Sequence, residues 1–90
     1  MYNFKLDSGF SIDLAKSDKV FTPTGTSKVL VDAIIENTKS KKKVLDLGCG
    51  CGAIGLSLFK HNIVKEPLYA SDISDNAIVN FKENSFKYNC

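Results

Sequence analysis

The sequence predicts an α/β fold: the first half of a parallel sheet in the order β-α-β-α, preceded by an N-terminal β-hairpin and a helix. Three observations carry this expectation. Val44-Leu45-Asp46-Leu47 is a short apolar run holding an acid, and a loop with Gly at every second position follows it. Pro67-Leu68-Tyr69-Ala70-Ser71-Asp72-Ile73 is a second short run, again with an acid near its end. Helical apolar spacing follows each, and strands alternating with helices imply a parallel, right-handed βαβ unit.

The elements are justified in chain order. Residues 2–22 read as extended. Phe4 and Leu6, then Phe10, Ile12 and Leu14, alternate with polar neighbours, and Asp7-Ser8-Gly9 between the runs suggests a hairpin turn. Lys16-Ser17-Asp18-Lys19 is a polar connection to Val20-Phe21. In Phe21-Thr22-Pro23-Thr24-Gly25-Thr26-Ser27 the Pro and Gly argue against regular structure, and Thr26 or Ser27 is suited to cap the helix that follows. From Ser27 to about Asn37, the residues Val29, Leu30, Ala33 and Ile34 fall near one helical face. Thr38-Lys39-Ser40-Lys41-Lys42-Lys43 breaks that pattern and reads as a solvated link, with a patch meeting RNA or another polyanion as the alternative. Val44 to Leu47 reads as a short buried strand, and residues 53–61 as a helix whose apolar side is Ile54, Leu58 and Phe59, ended by Asn62. Pro67 to Ile73 is the next strand, and Ser74 or Asp75 caps a helix over roughly 75–88 with Ala77, Ile78, Phe81 and Ser85 near one face.

Composition bounds the rest. With 90 residues, 43% hydrophobic and 24% charged, the chain has the make-up of a globular domain and the length for one at most. A net charge of +2 is too small to argue for nucleic acid by itself. All twelve basic residues are Lys, which excludes bidentate guanidinium contacts. Three Cys are an odd number, and Cys49 and Cys51 are poorly placed for a mutual disulfide, so the setting reads as reducing and cytoplasmic. No apolar run reaches the length of a membrane span, and no membrane partner is expected.

The loop after Leu47 carries the chemistry. Gly48, Gly50 and Ala53 satisfy G-x-G-x-x-G/A, and Asp72 stands about 20 residues further on, where a ribose-binding acid belongs. Dinucleotides and other adenosine-containing cofactors share that pattern. Asp46, two residues before Gly48, separates them. A fixed carboxylate there repels a pyrophosphate and suits a phosphate-free cofactor bearing an ammonium and a sulfonium, as S-adenosylmethionine does. An NAD-binding half-domain is the less favoured alternative. Cys-x-Cys offers too few ligands for zinc, so no metal is expected, and no base stands beside either Cys to make it a nucleophile. Both read as small residues packed in the turn, His61 as an exposed residue at a helix end, and Gly55 as a helix–strand packing position.

Val44-Leu45-Asp46-Leu47-Gly48-Cys49-Gly50-Cys51-Gly52 resembles motif I of the class I S-adenosylmethionine-dependent methyltransferases. Tyr69-Ala70-Ser71-Asp72-Ile73-Ser74, followed by Ala77 and Asn84, is similar to the acidic strand end and next helix of the same family. Phe21-Thr22-Pro23, then Ser27 and Leu30-Val31, resembles the lead-in of the HemK-like group, which includes release-factor glutamine methyltransferases and the "small domain" methyltransferases of RNA and ribosomal protein. The resemblance covers roughly residues 20–89.

It implies a Rossmann-like sheet, with residues 1–22 as a hairpin extension and 23–90 as an incomplete S-adenosylmethionine-binding methyltransferase domain. It also implies roles. Asp46 would sit near the methionine moiety, and Gly48, Gly50 and Gly52, with Cys49 between them, would let the backbone approach the cofactor. Asp72 would accept from the ribose hydroxyls, and Ile73 would pack on the adenine face. In the HemK-like group an Asn-Pro-Pro-Tyr-type motif orients the acceptor, and none occurs here, so no catalytic residue is assigned. Thr24 also stands where that group often has Arg, which argues against the glutamine methyltransferase proper and leaves the broader small-domain group open. The expectation is therefore a fragment of a methyltransferase for a nitrogen of RNA or a translation-related protein, inactive alone. Its substrate would be engaged by a missing C-terminal half, with pairing to a complementary chain as a further expectation. A non-catalytic cofactor- or partner-binding fragment is the alternative.

Overall fold

Alternation at the N-terminus produces the hairpin it predicts. In the computed structural model, which describes all 90 residues, β1 (Tyr2–Lys5) pairs antiparallel with β2 (Ser11–Leu14), placing Phe4 opposite Ile12. A period of two sends Phe4, Leu6, Ile12 and Leu14 to one face, where all are buried. Gly9 closes the turn at φ +99°, and its N–H donates to the Leu6 carbonyl at 3.0 Å. The extended run predicted to residue 22 stops at Leu14, because beyond it the backbone of Ala15 and Ser17 bonds to helix side chains instead of a strand.

Helix α1 (Gly25–Asn37) begins earlier than predicted. Its N-cap is Thr24, in extended geometry and without a side-chain capping bond, so Thr26 and Ser27 fall inside the first turn. Its covered stripe also differs. Val31 is fully buried and Ile34 and Ile35 half-buried, whereas Val29, Leu30 and Ala33 are exposed. One neighbouring helix covers only the i, i+3, i+4 seam, and the remaining apolar positions stay in solvent.

β3 (Leu45–Leu47) and β4 (Tyr69–Ser71) form a parallel pair with Asp46 opposite Ala70. Both are shorter than expected, and β3 is not the buried strand its composition suggested. Leu45 is 59% and Leu47 80% exposed, while the acid between them, Asp46, is 7% exposed. A parallel strand needs cover on both faces to bury both sets of side chains. Here helix α2 (Ala53–Lys60) covers only the face that carries Asp46.

Helix α2 ends where Asn62 predicts. Asn62 adopts φ +59°, its N–H donates to the Phe59 carbonyl at 3.0 Å, and that of Ile63 to the Leu58 carbonyl at 3.1 Å, a Schellman closure. The predicted apolar side is too narrow, since Gly55, Leu56, Ser57 and Leu58 are all buried and Ile54 and Phe59 half-buried. His61 is not simply exposed. It is half-buried against Phe10, ring centroids 4.0 Å apart, and its Nε2 has no partner.

Helix α3 (Asp75–Lys87) is capped by Ser74, whose Oγ accepts from the Ala77 N–H at 3.3 Å. Its inner face is Ala77, Asn80, Phe81 and Asn84, with Ile78 and Ser85 only half-buried. Hairpin, α2, Val31 of α1 and Phe81 of α3 share one apolar core.

Candidate functional site

Parallel pairing of β3 and β4 brings both acids to the same end of the sheet. The chain leaving Leu47 turns at once, and the N–H groups of Gly48 and Cys49 both donate to the Ser71 carbonyl, at 2.8 and 2.9 Å. The loop thereby closes over the strand ends. Gly48, Gly50 and Gly52 have φ of +70°, +53° and +96°, which L side chains rarely adopt.

The three glycines differ in what surrounds them. No atom lies within 4 Å of where a Cβ on Gly48 would stand, and on Gly50 the nearest is Val20 Cγ1 at 3.6 Å. A Cβ on Gly52 would lie 2.7 Å from Leu56 Cδ1 and 3.0 Å from Phe81. The bare backbone at Gly48 therefore faces open space, and that at Gly52 serves the packing of α2 against α3.

Gly52 is also the N-cap of α2 and has no side chain with which to cap it. Asp46 does so from the strand: its Oδ2 accepts from the Gly55 N–H at 3.0 Å. Gly55 is the packing position its place predicts, since a Cβ there would stand 2.8 Å from that same oxygen. Burial drives the Asp46 carboxyl up to about 6; the Gly55 bond opposes this and the negative charge of Asp72 adds to it. Asp72 behaves oppositely. Its Oδ1 accepts from the Ser74 N–H at 2.9 Å and its Oδ2 from the Gly50 N–H at 3.0 Å, and these bonds hold it below the usual carboxylate range.

Two depressions flank Gly48. One, of about 210 Å³, lies between Gly48, Cys49 and Gly50 on one wall and Phe21 to Thr24 on the other. The second is lined by Leu47, Gly48, Ser71, Asp72 and Ile73, with Ile73 fully exposed. No Lys lines either. Of the predicted residues, Gly48, Cys49 and Gly50 border the first depression and Gly48, Asp72 and Ile73 the second. Asp46 and Gly52 lie behind the loop and line neither. Cys49 and Cys51 are buried, and burial pushes the Cys49 thiol up to about 11 and raises that of Cys51. Both are neutral thiols packed in the turn.

Residues Phe21 to Thr24 and Ser27, part of the HemK-like lead-in, also line the site, a role that the sequence does not assign to them. The signal was there as a non-regular Pro- and Gly-containing stretch immediately before a helix. Only the fold shows that it forms the wall opposite the loop.

Residues 14–90 match the family model described as methyltransferase small domain. The chain belongs to that family. Within it, curated relatives are release factor glutamine methyltransferases, in line with the HemK-like lead-in. That of Moorella thermoacetica is 34% identical over 79 residues, which are 86% of this chain and 28% of the relative. That of Streptococcus pneumoniae is 35% identical over 81 residues, 89% of this chain and 29% of the relative. That of Lactococcus lactis is 36% identical over 75 residues, 82% of this chain and 27% of the relative. The chain thus spans under a third of the length of the curated relatives it matches. The family match begins at the last residue of β2, so β1 and the hairpin turn lie outside it.

Proposed function

We propose that this chain is the S-adenosylmethionine-binding part of a methyltransferase acting on a nitrogen in a translation-related protein. A release factor is the favoured acceptor because the matching relatives bear that name. One observation carries the cofactor reading: two carboxylates stand at the two strand ends beside the Gly loop, and neither depression contains a cation. That environment repels a pyrophosphate and attracts a cationic ligand.

The residues fit the cofactor. Each Asp72 oxygen accepts one backbone N–H and keeps a lone pair for a ribose hydroxyl. The open space at Gly48 lets a ligand lie against bare backbone. Asp46 supplies negative potential from beneath the loop, and the exposed Ile73 offers an apolar face for adenine. When bound, S-adenosylmethionine supplies an electrophilic methyl group on a sulfonium, a leaving group that needs no proton. The chain's own contribution is then alignment and exclusion of water along the cleft. No Asn-Pro-Pro-Tyr motif occurs in the sequence, so we assign acceptor orientation to polypeptide beyond these residues and expect binding without turnover from the chain alone.

Calorimetric titration of the chain with S-adenosylmethionine and with NAD tests the reading. One-to-one binding of the first and none of the second is expected. Asp72→Ala should weaken that binding roughly 100-fold, since it removes hydrogen bonds to a charged acceptor. Equal affinity for NAD, or an unchanged affinity in the variant, overturns the assignment.

A further inference from the structure

Helix α3 turns two amides inward where apolar side chains would be expected. Asn80 is 2% exposed and Asn84 fully buried, on the face shared with Ala77 and Phe81. Asn is a poor helix former, and a buried amide is costly unless its hydrogen bonds are made. Here they are made, and to backbone that has no other partner. Asn84 Oδ1 accepts from the Ala15 N–H at 2.7 Å, and its Nδ2 donates to the Ala15 carbonyl at 2.9 Å and to the Cys51 carbonyl at 2.8 Å. Asn80 Nδ2 donates to the Ala15 carbonyl at 2.7 Å, and its Oδ1 accepts from the Ser17 N–H at 3.3 Å.

The two residues do different things. For Ala15, Asn84 replaces the missing strand: one amide exchanges both bonds with one residue, as a ladder partner would. Ala15 begins the segment that runs through Val20 to Phe21–Thr24, one wall of the cleft. Cys51 belongs to the Gly loop, the other wall, and Asn84 is the only donor to its carbonyl. A single side chain thus holds both walls from behind. Asn80 holds only the first.

We propose that Asn84 is a positioning residue for the cofactor cleft, setting the separation of the Gly loop from the Phe21–Thr24 wall by bonding Cys51 and Ala15 with one buried amide. This rests on the reading of the cleft as a cofactor site. Asn84 touches no ligand and acts through the loop backbone.

The test compares Asn84→Asp with Asn80→Asp in the full chain. Each keeps an acceptor and loses donors, but only Asn84→Asp releases the Gly loop and sets a carboxylate against its carbonyl. Two quantities are read: amide hydrogen exchange at Gly50 and Gly52 without ligand, scaled to global unfolding, and the S-adenosylmethionine Kd corrected for the folded fraction. For Asn84→Asp, loop exchange should speed up and Kd rise, each about tenfold, whereas Asn80→Asp should move Kd less than about threefold. A purely structural role raises the apparent Kd only by the reciprocal of the folded fraction, which urea unfolding of the same variant measures, and leaves the Kd corrected for that fraction unchanged. Equal effects of the two variants on loop exchange and on Kd overturn the proposal. If Asn84→Asp does not fold, Asn84→Ser, which removes the clamp without adding charge, takes its place in the same comparison. A wild-type chain that binds no S-adenosylmethionine refutes the cofactor reading, while the exchange comparison still decides the role of Asn84.

Discussion

Replacing Asp46 by Asn should make this fold more stable and its cofactor binding weaker. Asp46 is 7% exposed, and its one protein partner, the Gly55 N–H, is satisfied equally by a carboxamide oxygen. What Asp46→Asn removes is a buried charge. The folded state raises that carboxyl from 3.8 to about 6, a shift of about two units. At about 1.4 kcal/mol per unit, the ionised form costs the fold at most about 3 kcal/mol near neutral pH. For a domain of this length that corresponds to a rise in Tm on the order of 10–20 °C. The pH dependence follows from the direction of the shift. Between about pH 4 and 6 the folded chain binds more protons than the unfolded one, so wild-type stability falls as pH rises through that window. The gap between variant and wild type should therefore be fully open above about pH 6 and closed below about pH 4. Urea unfolding of both proteins across this range measures it directly, and calorimetry on the same samples should show S-adenosylmethionine binding on the order of tenfold weaker in the variant. A variant less stable than wild type at pH 7.5, or a gap that ignores pH, would refute the argument that Asp46 is a charge held at the fold's expense.

Three further outcomes follow from the geometry. Gly55→Ala gains helix propensity but drives a Cβ to 2.8 Å from Asp46 Oδ2 and 3.2 Å from Leu68 Cδ2, and the overpacking should prevail by about 1–2 kcal/mol in urea unfolding. An unchanged midpoint would show that α2 can slide off β3. Gly48→Ala meets no atom within 4 Å, so only its φ of +70° is penalised, by about 1 kcal/mol, while cofactor affinity should fall by more than that loss of stability explains. Equal proportional losses would place Gly48 outside the binding surface. Thiol labelling of the native chain at pH 7.5 should modify Cys90 well before Cys49 and Cys51: all three thiols are raised, but only that of Cys90 is exposed to the reagent. Labelling of two or three thiols at one rate would mean that the Gly loop opens freely.

Much of the candidate site is readable in the chain itself, because the signals are local. Gly at every second position after Leu47 marks a tight loop between strand and helix, and the structure turns the chain there with positive φ at Gly48, Gly50 and Gly52. Asn62 announces the end of α2, and Ser74 the start of α3, through short-range backbone capping. Boundaries and faces were less readable. Helix α1 starts two residues before its predicted first position, since Thr24 caps by backbone geometry alone. The apolar stripes predicted for α1 and α3 are rotated from those observed, because which stripe is buried depends on what packs there. Nothing in the periodicity of α3 says that Asn80 and Asn84 point inward, as polar residues normally mark the solvent side.

Taken alone, the sequence determines the order of elements, the Gly loop between a strand and a helix, and the acids at both strand ends. Each follows from residues within a few positions of one another, where backbone preference and short-range hydrogen bonding decide. Only the tertiary structure decides what those residues do. It turns Asp46 inward to cap α2, so that its charge acts from behind the loop. It frees Gly48 toward open space and commits Gly52 to packing. It brings Phe21 to Thr24 against a loop about 25 residues away in sequence, and has one amide, Asn84, hold both together. These outcomes depend on which surfaces meet, and burial, not local preference, sets them.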